Sequence, residues 1–111
     1  MADDLPLQLR QGDVLLIATP DAEPAEGAVE QPRERGALVL ARGELTGHAH
    51  AVHGEGARLL AAPGALDALL IVERPAVLRH EEHGPIELPV GRYLVRRQRE
   101  YAYDQWRLVG D

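Results

Sequence analysis

The chain has 111 residues, no cysteine and a net charge of −6. That length implies one domain, residues 1–111, with a single modest core. Disulfides and thiolate metal sites are excluded, and the acidic balance argues against nonspecific nucleic-acid binding, which is driven mainly by attraction to phosphate.

Charge is unevenly placed: residues 1–57 carry ten acids against four arginines, residues 58–111 eight of each, and there is no lysine. The opening "MADDLPLQLR" is acidic and lacks the apolar stretch of a signal peptide. No apolar run approaches the roughly 20 residues of a membrane helix. A cytoplasmic protein with no membrane partner is the expectation. There is no Phe, and all four other aromatics, Tyr93, Tyr101, Tyr103 and Trp106, lie near the C-terminus, so the core must be largely aliphatic.

In chain order, "QGDVLLIA" (11–18) opens with a Gly-Asp turn and reads as a buried strand. "TPDAEPAEGAVEQPRERGA" (19–37) holds three prolines and many acids, which forbids a helix and predicts a long surface loop, mobile over 20–36. Short strands follow at "LVLA" (38–41), "HAHAV" (48–52) and "ARLLAA" (57–62). "ALDALLIVE" (65–73) is ambiguous. A short helix near 63–70 fits its first half, whereas Ile71-Val72 favours a strand. "AVLRH" (76–80) and "IELP" (86–89) are short strands around "EEHGP". "RYLVRRQREYAY" (92–103) is the longest. Six to eight short strands punctuated by Gly and Pro predict an all-β domain, a small barrel or jelly-roll-like sandwich.

All five histidines fall in two stretches, His48, His50 and His53, then His80 and His83. On a strand, His48 and His50 share a face about 6.6 Å apart along the chain, a spacing from which two imidazoles can converge on one ion with bonds of about 2.0–2.1 Å. His53 falls on the other face. His80 and His83 end a strand and enter a turn before Gly84-Pro85, where both rings can point one way. Glu81 and Glu82 between them can ligate, accept a ring N–H or move a proton as catalytic groups. His48, His50, His80 and His83 form a candidate metal site of nitrogen donors. The donor set suits Zn, Fe, Mn, Ni or Cu without choosing among them. Two other readings stay open: ordinary polar turns, and a metal-free acid/base role in a ligand pocket.

Two family resemblances rest on these residues. Gly43, His48-Ala49-His50, Glu55 and Gly64, followed by Gly84, Pro89-Val90-Gly91, Leu94 and Gln98, resemble the two motifs of the cupins over about residues 43–98. Cupins are small jelly-roll barrels that commonly hold a metal. The resemblance implies a site of His48, His50 and Glu55, but Leu94 stands where the family's third metal histidine belongs. "ARGELTGHAHAV" and "HEEHGPIELPVGRYLVRRQREY" resemble short bacterial proteins with a TGH-x-H and HEEH-x-PI signature. That likeness implies that both histidine stretches belong to one unit, and it implies no activity.

The C-terminal strand offers a rival reading. Tyr93, Val95, Arg97, Arg99, Tyr101 and Tyr103 share one face, a pattern that suits a protein interface or, less well at this net charge, stacking on single-stranded nucleic acid. A long strand at a sheet edge invites a second chain. The sequence therefore predicts a metal-binding β-barrel protein, with metal-assisted hydrolysis or isomerisation of a small polar ligand as its chemistry. The alternative is a non-enzymatic protein-protein interaction or regulatory module. A homo-oligomer is expected in either case.

Overall fold

The computed structural model describes residues 7–42 and 48–97. Among them are ten strands and no helix, so none long and apolar enough to cross a membrane. The strands are β1 (Gln8–Gln11), β2 (Val14–Ala18), β3 (Val29–Glu30), β4 (Ala37–Arg42), β5 (Ala49–His53), β6 (Ala57–Ala61), β7 (Asp67–Val72), β8 (Ala76–Arg79), β9 (Ile86–Leu88) and β10 (Gly91–Arg97). They form two antiparallel sheets, one of six strands in the order β1-β2-β10-β7-β6-β3 and one of four in the order β4-β5-β8-β9. Of the two expected all-β architectures, the sandwich is the one formed: the sheets remain separate rather than closing into a barrel.

Alternation builds the core. Val14 and Leu16 of β2, Leu59 of β6, Leu70 and Val72 of β7, and Tyr93 and Val95 of β10 point inward from the larger sheet. Leu38 and Leu40 of β4, Val52 of β5, Leu78 of β8 and Leu88 of β9 meet them from the smaller one. Tyr93 is the only Tyr, Trp or Phe among the described residues, and its hydroxyl donates to Pro89 O at 2.6 Å. That bond lets a polar tip sit in an aliphatic core without an unsatisfied donor.

Three expectations need correction. The short helix near 63–70 does not form: Pro63-Gly64 is a turn, and β7 begins at Asp67. The reason is position. β7 lies between β10 and β6, with both of its edges hydrogen-bonded and Ala68–Val72 all buried, so tertiary pairing overrides local helix preference. The stretch 19–37, expected as loop throughout, contains β3, which pairs with β6. Arg33 fastens it further, its guanidinium donating to Gly36 O, Gly54 O and Ala57 O at 2.8, 2.8 and 2.7 Å.

The third correction concerns the C-terminal strand. β10 is an interior strand, paired with β2 on one side and β7 on the other, so it offers no free edge. Tyr93 and Val95, placed on the proposed contact face, are core residues. Arg92 donates to Ala22 O at 2.6 Å, and Arg96 pairs with Asp67 at 2.9 Å. Arg99, Tyr101 and Tyr103 lie outside the described residues.

Candidate metal centre

The β5–β8 register brings the two histidine stretches together. Its pairs run His53↔Val77, Val52↔Leu78 and Ala51↔Arg79. The same antiparallel register continued past the ladder sets His50 opposite His80, Ala49 opposite Glu81 and His48 opposite Glu82. Side-chain contacts follow that order. The His50 and His80 rings stack with centroids 4.1 Å apart at 26°. Ala49 N–H donates to Glu81 Oε1 at 3.0 Å, and His48 Nδ1 lies 3.5 Å from Glu82 Oε2. His80 also touches His48 edge-on at 5.7 Å and His83 at 4.8 Å, and His83 lies 5.8 Å from His50. The four rings thus form one cluster, with His80 in contact with each of the others.

Face alternation sorts the rest. His50 and Val52 point between the sheets, where His50 is 6% exposed. Ala49, Ala51 and His53 face the opposite way and line a groove on the outer surface of the four-stranded sheet. A β-bulge helps bury His50: Val39 pairs with Ala51 and Ala41 with His50, so Leu40 and Ala41, both buried, oppose one histidine. Glu55, the carboxylate of the cupin-like set, sits exposed in the turn after β5, beyond the strand end opposite His48. Leu94 lies on β10 in the other sheet.

The larger sheet contributes through the β1–β2 hairpin. Gln11, buried at 2%, donates its amide N–H to Leu78 O at 3.1 Å and to Gly84 O at 2.9 Å. Carbonyls only accept, so the amide nitrogen must face them and the amide oxygen must face His50. Gln11 Oε1 lies 2.9 Å from His50 Nδ1. The hydrogen is therefore on Nδ1, and the lone pair of His50 is on Nε2. Gly12, at φ 57°, leaves space beside it. A Cβ there would lie 3.0 Å from His83 Nε2 and 3.3 Å from His50 Nε2, so both nitrogens face the gap that this glycine keeps open.

Electrostatics favour neutral imidazoles. Burial, then the charges of His80 and His83, push His50 from its ordinary value down to about 4, against a smaller pull from Asp13 and Glu81. Burial and His83 lower His80 as well. Glu81 is held below the usual carboxylate range, first by the Ala49 N–H and then by its own backbone N–H. At neutral pH His50 and His80 therefore offer uncharged nitrogen lone pairs, and Glu81 an ionised carboxylate. One donor atom each from His48, His80 and Glu81 already lies within 4.8 Å of the others.

The family described as a domain of unknown function, DUF8820, matches residues 10–98. The chain belongs to that family. No curated protein and no solved structure gives a significant match. The DUF8820 span takes in Gln11, Gly12, all five histidines and both glutamates of the turn.

Of the candidates named from sequence, His48, His50, His80 and His83 form one ring cluster with Glu81 and Glu82 beside it, but the donor atoms within 4.8 Å of one another are those of His48, His80 and Glu81, not of the four histidines expected as ligands. Gln11 and Gly12 were missed. Gly12-Asp13 is legible as a turn, but nothing local says that the turn of one sheet caps a histidine of the other.

Proposed function

We propose that this protein binds a divalent transition metal where its two histidine stretches meet beside the β1–β2 hairpin. His48, His80 and Glu81 are the primary donors, and His50 and His83 stand beside them. The observation that carries this reading is the convergence of those three donor atoms within 4.8 Å from two separate stretches of chain. Two imidazoles and a carboxylate form a donor set that zinc and non-haem iron both accept. Glu82 beside His48 Nδ1 supports it: a carboxylate on one ring nitrogen orients the other toward a metal.

Binding requires two adjustments. Donors around a tetrahedral ion with bonds of about 2.1 Å are about 3.4 Å apart, so the set must contract. His80 Nδ1 accepts the Glu82 N–H at 3.0 Å, and a ligand at that nitrogen would displace the bond. The displaced bond is worth about 1 kcal/mol. A structural zinc contributes about 10 kcal/mol or more, so the metal wins. Glu81 and the Glu82 N–H both belong to the exposed stretch Glu81–Gly84.

If the ion is catalytic, it polarises an oxygen or activates water for hydrolysis or isomerisation of a small polar substrate. Glu81, kept as a carboxylate, suits a ligand better than a proton donor. Glu82, exposed at the rim, is the proton carrier of that reading.

Elemental analysis of purified, untagged protein, followed by calorimetric titration of chelator-stripped protein with Zn, Mn, Fe, Ni and Cu, tests the proposal. One equivalent per chain supports it. No uptake of any of the five at neutral pH rejects it.

A further inference from the structure

The outer face of the four-stranded sheet carries a groove of about 580 Å³ that ends at His80 and Glu81. That volume lies within the range of small-molecule sites, about 300–1,000 Å³. Its floor is made of short apolar side chains, Ala37, Val39, Ala49 and Ala51, brought side by side by the β4–β5 pairing. Three arginines, Arg35, Arg42 and Arg79, stand around it.

Their charges are not equally engaged. Arg42 is bound to Glu34 at 2.6 Å. Glu81 accepts the Ala49 N–H. The guanidinium groups of Arg79 and Arg35 have no hydrogen bond or ion pair among the described residues. A chain of net charge −6 thus presents two guanidinium groups around an apolar floor with no charge partner among the described residues.

Arg35 is also the only residue other than glycine with positive φ among the described residues, at 53°, followed by Gly36 at 81°. Glu34 and Ala37 bridge across this two-residue turn. Such a turn favours Asn-Gly, and a long side chain at its first position is strained. The backbone thus holds an arginine, at a cost, where asparagine would be easier.

We propose that this groove binds a small organic carboxylate with a short apolar body. Arg79 and Arg35 receive the acid group, the alanine floor takes the hydrocarbon, and the far end of the molecule lies against His80 and Glu81. Insofar as this names the ligand that the metal would act on, it rests on the metal reading. Recognition by the arginines and the floor stands without it. Arginine suits a carboxylate because its planar fork can donate two parallel N–H bonds to two oxygens.

The test uses the whole chain, labelled with ¹⁵N, both chelator-stripped and zinc-treated. Butyrate, butyramide and inorganic phosphate are titrated separately, and amide shifts are followed at Ala49, Ala51 and Arg79. Butyrate should shift all three and bind at least about tenfold more tightly than butyramide or phosphate. Arg79→Gln should weaken butyrate by about tenfold. Arg35→Asn should weaken it as well while raising the melting midpoint by several degrees, an opposition that a general loss of structure would not produce. Equal binding of butyramide, or unchanged butyrate binding in Arg79→Gln, refutes the anion pocket. Equal binding of phosphate refutes the role of the apolar floor, and with it the proposal. If stripped protein binds butyrate but takes up no zinc, the metal reading fails and the groove stands. If zinc binds and butyrate does not, the groove falls and the metal centre stands.

Discussion

Gln11 and His50 come from different sheets and meet at 2.9 Å, amide oxygen to ring Nδ1. The contact does two things. It ties the β1–β2 hairpin of one sheet to β5 of the other, and it selects the tautomer that leaves His50 Nε2 a free lone pair.

Gln11→Met keeps the volume and removes every polar atom. Leu78 O, Gly84 O and His50 Nδ1 then lose a buried partner, so the variant should be less stable by about 2–3 kcal/mol in urea unfolding. Its affinity for zinc should fall by about 10-fold or more, the usual consequence of losing a group that orients metal-site histidines. A variant with unchanged stability would show that the amide is solvated rather than buried.

Metal-free protein should lose stability in acid. His50 is held down to about 4 in the folded chain, against about 6.5 unfolded. The unfolded chain therefore binds the proton first. Stability is full above pH 6.5 and falls progressively toward pH 4. His50 contributes up to about 3 kcal/mol of that loss. His80, also lowered, adds to the loss in the same direction. Glu81 does so further down, below its ordinary value of 4.5. Urea midpoints measured in chelator between pH 4 and 8 should trace this slope, and His50→Leu should flatten most of it above pH 4.5.

The cluster ranks its own members. His80 touches all three other rings, so His80→Ala should lower zinc affinity most, by at least ~100-fold, or about 2.7 kcal/mol. Glu81→Gln, which keeps the shape but not the charge, should lower it by about tenfold, or about 1.4 kcal/mol. His53→Ala should leave it unchanged, because His53 sits at the opposite end of β5 from His48 and outside the donor group. Isothermal titration of the three variants would expose a different donor set if His53→Ala proved the most damaging.

Arg33 should govern how firmly the acidic segment is held. Its three bonds to Gly36 O, Gly54 O and Ala57 O span the segment and β6. Arg33→Ala should cost about 2 kcal/mol and speed cleavage between residues 20 and 36 by a glutamate-specific protease. Cleavage at the same rate in both proteins would mean that the segment opens without breaking the clamp.

Much of this was legible in the amino-acid sequence. Two-residue alternation and Gly/Pro punctuation suffice for an all-β chain, because side-chain period is a local property of the strand. The same arithmetic separates His53 from His48 and His50. Clustering of all five histidines in two stretches is legible without any structure, since it needs only their positions along the chain. What local pattern could not supply was the partner of each strand. β7 is a strand because β10 and β6 bind both its edges, and β10 is interior because β2 and β7 enclose it. His50 meets His80 because of one register among many that the chain could adopt, and a shift of a single residue would turn the histidine face away. Gln11 reaches His50 only after the two sheets have packed, and Arg35 joins Arg79 around one groove only after β4, β5 and β8 have paired. Those contacts are long-range, and their selection depends on burying one common core, a quantity no short window of sequence contains.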